Sequence, residues 1–133
     1  MSLRNPIEVP EVTLGDGLRL PAIGLGTFSL RGARGVQAII HAIQAGYRLL
    51  DSAYNYENEG AVGEAVRRSG VPREQLLIAS KLPGRYHAYD KAIVAIQESL
   101  YRANLDYYDL YLIHWPNPNQ NLYVEAWQAL IDA

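Results

Sequence analysis

Three residues of different titratable types close three successive apolar runs in this chain. Asp51 ends Tyr47-Arg48-Leu49-Leu50, Lys81 ends Leu76-Leu77-Ile78-Ala79-Ser80, and His114 ends Tyr108-Asp109-Leu110-Tyr111-Leu112-Ile113. A carboxylate, an ammonium and an imidazole gathered in one place can hold, donate and orient protons, which is the equipment of general acid–base chemistry. Lys81 is the sharpest of the three. Ten of the twelve basic residues are Arg, and only Lys81 and Lys91 are Lys. A lysine at the end of an apolar run therefore suits a task arginine fills poorly, that of a compact point charge on a flexible stem. Taken singly, each residue has a plainer account: a lysine reaching solvent, an aspartate capping a turn, a histidine hydrogen-bonded at a strand end. Their coincidence at three consecutive run ends is what favours chemistry.

For those ends to meet, the runs must lie side by side and point the same way. Val12-Thr13-Leu14 and Leu18-Arg19-Leu20 flank Gly15-Asp16-Gly17 and predict a hairpin. After Pro21, Ala22 to Phe28 predicts a short buried strand. Val36, Ile39, Ile40 and Ile43 then fall at helical spacing and stop at Gly46. Strand and helix continue to alternate. The strand ending at Asp51 precedes a helix from Glu59 to Arg68, stopped by Ser69-Gly70. The strand ending at Lys81 precedes a helix carrying Ala92, Ile93, Ile96 and Leu100. The strand ending at His114 precedes a helix opening near Leu122, with Val124, Trp127 and Leu130 on its apolar side. Four such strand–helix units predict a parallel sheet with right-handed crossovers. In that sheet Gly26-Thr27, Asp51, Lys81 and His114 all emerge at one mouth, where barrels and open α/β sheets place their active sites.

Composition removes other chemistries. The 133 residues contain no Cys, which excludes a disulfide framework, a thiolate metal site and a cysteine nucleophile. His41, His87 and His114 have no ligand spacing, so no metal is expected. No G-x-S-x-G elbow accompanies Ser29, Ser52 or Ser80. With 12 basic against 14 acidic residues the formal charge is -2, so no nucleic-acid or anionic-membrane partner is expected. No apolar run is long enough to span a bilayer, and Met1-Ser2-Leu3-Arg4-Asn5 is not a signal peptide, which points to a cytoplasmic location. A dinucleotide-binding Rossmann unit matches poorly. Gly24-Leu25-Gly26 precedes Asp51 by a suitable distance, but Ser29 stands where the third glycine belongs and a hairpin precedes the first strand.

The segment Leu49-Leu50-Asp51-Ser52-Ala53-Tyr54-Asn55-Tyr56-Glu57-Asn58-Glu59, followed by Val62-Gly63, resembles the aldo-keto reductase signature, in which a strand-end Asp precedes a Tyr by five residues. Gly24-Leu25-Gly26-Thr27-Phe28, Ser80-Lys81-Leu82 and Tyr111-Leu112-Ile113-His114-Trp115-Pro116 look like the same family, in the same order. The resemblance implies an α/β fold of the (β/α)8 TIM-barrel class. Residues 1–133 would form a single partial domain, the N-terminal hairpin plus about four βα units. It implies NADPH-dependent reduction of a small-molecule carbonyl, aldehyde or ketone, to the alcohol, and a catalytic tetrad at Asp51, Tyr56, Lys81 and His114. By the same resemblance Thr27 and Asp51 would lie at the cofactor, and Phe28 and Trp115 would wall the substrate pocket. Phe28 stands where many members carry Trp, which would widen that pocket. Ser52 stands where many carry Thr, a near-silent change.

A full barrel takes roughly 250 residues, and the pattern of the last helix still runs at Ala133 without a Gly cap or Pro stop. The expectation is a truncated reductase with a complete tetrad and most of its NADPH site missing. The alternative is a catalytically inactive half-barrel that self-associates through its open sheet edges as a structural or interaction module.

Overall fold

The computed structural model describes residues 8–133, so the reading of Met1–Asn5 lies outside it. The hairpin forms as patterned: β1 (Glu11–Thr13) pairs antiparallel with β2 (Arg19–Pro21), with Val12 opposite Leu20. Asp16 turns the chain by accepting the Leu18 amide at 3.0 Å, and Gly17 takes φ 89°, a left-handed conformation cheap only for glycine.

Four parallel strands follow, β3 (Leu25–Gly26), β4 (Leu49–Asp51), β5 (Leu77–Leu82) and β6 (Leu110–Ile113), hydrogen-bonded in sequence order. Helices α1 (Gly32–Ala45), α2 (Glu59–Arg68), α3 (Tyr89–Ala103) and α4 (Tyr123–Asp132) follow one strand each. A strand order that never reverses, combined with right-handed crossovers, puts every helix on the same face. This is the arc of a barrel. A doubly wound sheet would reverse its order at a switch point, so the Rossmann alternative is excluded.

The strands alternate faces with period two. Leu50, Ile78 and Leu82 point to the helices. The first two join Val36, Ile39, Ile40, Ile43, Val62 and Val66 in one buried cluster, and Leu82 joins Ala92, Ala95, Ala126 and Ala129 in a second. The four apolar positions predicted for α1 are all buried, and Gly46 ends that helix at φ 117°. The residues between, Leu49, Leu77 and Leu112, face the concave side, where Leu112 is 44% exposed.

Two expectations are corrected. The first parallel strand is Leu25–Gly26 and not the whole of Ala22–Phe28. Only β4 pairs with it among the described residues, and Gly24 lies so close to Leu49 that a methyl there would meet its side chain at 2.9 Å. The second concerns α4. Its buried face is Ala126 and Ala129, whereas Val124 and Trp127 are exposed. Small residues let α4 settle closely on its neighbours, and the large apolar ones turn outward.

Candidate active site

Register brings the strand ends together. Asp51 pairs with Ala79, so Lys81, two residues further along β5, projects from the same face beyond it. Lys81 pairs in turn with Leu112, and His114 lies two residues beyond that. This progressive stagger is the shear of a barrel sheet, and it stacks the three polar side chains along one diagonal of the concave mouth.

The Lys81 ammonium reaches back to Asp51, donating to Oδ1 at 2.6 Å and to the Ser52 carbonyl at 2.8 Å. Tyr56 enters from the single 3-10 turn Tyr54–Tyr56 that follows β4. Its ring centre lies 5.1 Å from Lys81 Nζ, and the ring stands edge-on to His114 with centroids 5.8 Å apart. All four residues expected of the tetrad therefore meet at one place. Phe28 makes an edge contact with Tyr56 at 5.2 Å, and Trp115 stacks on His114 at 6.0 Å with 11° between planes. Both rings are largely exposed, flanking the mouth as walls.

His114 is held neutral at pH 7. Burial pushes its pKa below the ordinary 6.5, the nearby Lys81 cation pushes the same way, and Asp51 opposes them. Its Nδ1 is buried without a partner among the described residues.

Thr27 lies elsewhere. Its side chain is fully buried beneath the mouth, with the hydroxyl donating to the Asp51 carbonyl at 2.8 Å. Asn58, fully enclosed as well, donates to the Thr27 carbonyl at 2.7 Å and accepts from the Ser52 hydroxyl at 2.7 Å. Behind the sheet, the Glu59 carboxylate accepts from Ser80 at 2.6 Å and from the Tyr108 hydroxyl at 3.1 Å. Arg102 lies 3.9 Å from its other oxygen. Sequence reasoning missed Asn58 and Glu59 because neither obeys an apolar period. The available signal was two adjacent polar residues at a helix start directly after the Tyr56 turn.

Among the described residues no helix is long and apolar enough to cross a membrane, and no three acidic, His or Cys residues cluster to hold a metal.

Residues 22–133 match the family model described as "Aldo/keto reductase family". The chain is 51% identical over 126 residues to 2,5-diketo-D-gluconic acid reductase B of Corynebacterium sp. (strain SHS752001), which spans 95% of this chain and 46% of that relative. An aldo/keto reductase from Brucella melitensis superposes with a TM-score of 0.90 at 39% identity, over 94% of this chain and 49% of that one. A Bombyx mori aldo-keto reductase in complex with NADP superposes at 0.81 and 38% identity, over 96% and 47%. The chain thus spans about half the length of these relatives, and its arc of four strands is the corresponding half of their (β/α)8 barrel. A tetrad assembled on that arc, and a family match running from the end of the hairpin to the last helix, have one explanation: the chain belongs to the aldo/keto reductase family.

Proposed function

We propose that this chain carries the proton-donating face of an NADPH-dependent carbonyl reductase acting on a small aldehyde or ketone in the cytoplasm. The observation that carries the reading is the contact set of Tyr56, with Lys81 on one side and neutral His114 on the other. The residues suit the reacting end of a nicotinamide cofactor: the mouth brings together a phenol, a held ammonium and an uncharged imidazole. Asp51 would hold that end, whereas Thr27, fully buried with its amide, hydroxyl and carbonyl committed to Asp51, Leu30 and Asn58, would support it only from beneath. When bound, the cofactor supplies the hydride to the carbonyl carbon.

The chain's own residues handle the rest. Charge develops on the carbonyl oxygen, and Tyr56 gives its hydroxyl proton there to complete the alcohol. The Lys81 ammonium stabilises the phenolate left behind, and Asp51 keeps that ammonium in place. His114, uncharged, donates a second hydrogen bond from Nε2 to the same oxygen and orients it. Phe28, against Tyr56, and Trp115, stacked on His114, flank the carbonyl on two sides. Two relatives agree in class, one named as a 2,5-diketo-D-gluconic acid reductase and one an aldo-keto reductase in complex with NADP.

The test joins residues 1–133 to the second half of the barrel of the Corynebacterium relative and follows NADPH oxidation with an aromatic aldehyde. Tyr56→Phe is expected to lower turnover by about 10²–10⁴ with cofactor binding retained. Near-normal turnover refutes the assignment.

A second reading is favoured by one observation. Val124, Trp127 and Ile131 form an exposed apolar stripe along α4, and Leu112 is exposed on the concave face. The 133-residue chain would then self-associate as an interaction module. Sedimentation of a monomer at tens of micromolar sinks that reading.

A further inference from the structure

Asn58 and Glu59 stand where α2 begins, yet neither side chain caps that helix, and both are directed into the protein. Asn58 uses its amide on the strand ends. Its Nδ2 donates to the Thr27 carbonyl at 2.7 Å, to Thr27 Oγ1 at 3.1 Å and to the Leu30 carbonyl at 3.2 Å, while Oδ1 accepts from Ser52 Oγ. Thr27 Oγ1 passes the link on to the backbone carbonyl of Asp51, and the carbonyl of Ser52 is the second acceptor for Lys81 Nζ. Glu59 works from the other side. Its buried carboxylate binds Ser80, the residue preceding Lys81 on β5.

We propose that Asn58 and Glu59 are a pair of positioning residues, which set where the Lys81 ammonium and the Asp51 carboxylate stand beneath Tyr56. Asn58 fixes the backbone on both sides of Asp51, and Glu59 fixes the strand that delivers Lys81. A local role at the helix start would have pointed the same side chains at the first free amides of α2. The consequence for catalysis rests on the reductase reading; the placement of the ammonium does not.

Having only two lysines makes the test direct. Lys81 is largely covered and held by two acceptors, whereas Lys91 is exposed on α3. Brief competitive acetylation of the folded 133-residue chain with acetic anhydride, read by peptide mass spectrometry, gives the Lys81/Lys91 labelling ratio. Asn58→Ala and Glu59→Ala are each expected to raise the ratio about threefold to tenfold, the worth of one released hydrogen bond, with Lys91 labelling unchanged. Glu59→Gln retains an acceptor for Ser80 and Tyr108 and is expected to hold the ratio near that of the parent. If circular dichroism shows that Asn58→Ala does not fold, Ser52→Ala, which removes only the hydroxyl link, takes its place. An unchanged ratio in the folded Asn58 or Ser52 variant together with Glu59→Ala overturns the proposal, as does an equal rise in Glu59→Gln. No turnover is measured, so failure of the reductase reading and failure of this one are separate results.

Discussion

Replacing Gly63 by Ala tests how tightly α2 crosses α3. In an isolated helix the change stabilises by about 1 kcal/mol, because glycine loses more backbone freedom on folding than alanine. Here a methyl on Gly63 would stand 1.8 Å from the Ala103 carbonyl oxygen and 2.6 Å from its carbon. Contacts of this kind do not fall below 3.0 Å, so the α3 backbone must retreat by about 1.2 Å (3.0 − 1.8). That carbonyl is not free to move. It accepts the Arg67 guanidinium at 2.6 Å, and Ala103 itself is fully buried. Overpacking of roughly 1–3 kcal/mol and a weakened hydrogen bond to a charged donor, about 1.5–3 kcal/mol when lost outright, outweigh the propensity gain. The expected net loss is about 2 kcal/mol, read as a lower urea midpoint with an unchanged slope. Gly60→Ala is the internal control. It lies one turn earlier on α2, where a methyl would sit 3.3 Å from the Arg102 carbonyl, and it is expected within about 0.5 kcal/mol of the parent. A Gly63→Ala chain as stable as the parent, or more so, refutes the claim of a backbone-to-backbone crossing.

Two further outcomes are expected. Lys81→Met should abolish carbonyl reduction in the joined barrel yet change unfolding free energy by no more than about 1 kcal/mol, because the Asp51 side chain left behind is 41% exposed and stays solvated; a loss of several kcal/mol would show the pair to be structural. His87 is buried with neither ring nitrogen partnered among the described residues, and burial pushes its pKa below the ordinary 6.5. The unfolded chain then binds the proton more readily than the folded one. Stability is present in full above about pH 6.5 and is lost as pH falls below it, so the urea midpoint should drop from pH 7 to pH 5 and His87→Leu should lessen the drop. A midpoint that rises on acidification contradicts this.

Where burial follows period, the fold was legible in the residues. The span from Glu59 to Arg68 is helical end to end, and Val36, Ile39, Ile40 and Ile43 share one buried face. The mouth was legible for a related reason, since polar residues that terminate apolar runs stand out against them. Legibility failed where small or polar residues do the packing. On α4 the contact surface is Ala126 and Ala129, too small to stand out in an apolar period, so the period points to Val124 and Trp127, which face outward. Resemblance alone sets Thr27 at the cofactor, whereas its hydroxyl is committed to the Asp51 carbonyl and to Asn58. Glu59 reads in sequence as a solvated first-turn acid, which complements the helix dipole. Only the three-dimensional neighbours Ser80, Tyr108 and Arg102 reveal an acid turned into the interior.

The unbroken strand order has a consequence for how such a chain emerges from the ribosome. Each strand pairs with the one made just before it, and each helix packs against its predecessor. No place in the sheet has to be kept vacant for a strand not yet synthesised, and every docking step closes one strand–helix–strand crossover, as between Leu25 and Leu50 or Ala79 and Leu110, onto the strand made just before. Asp51 and Lys81 can therefore meet as soon as β5 docks, with β6 and His114 still to take their place beside them. The ion pair needs nothing beyond β5 to form, and the imidazole is set beside it by the next strand alone.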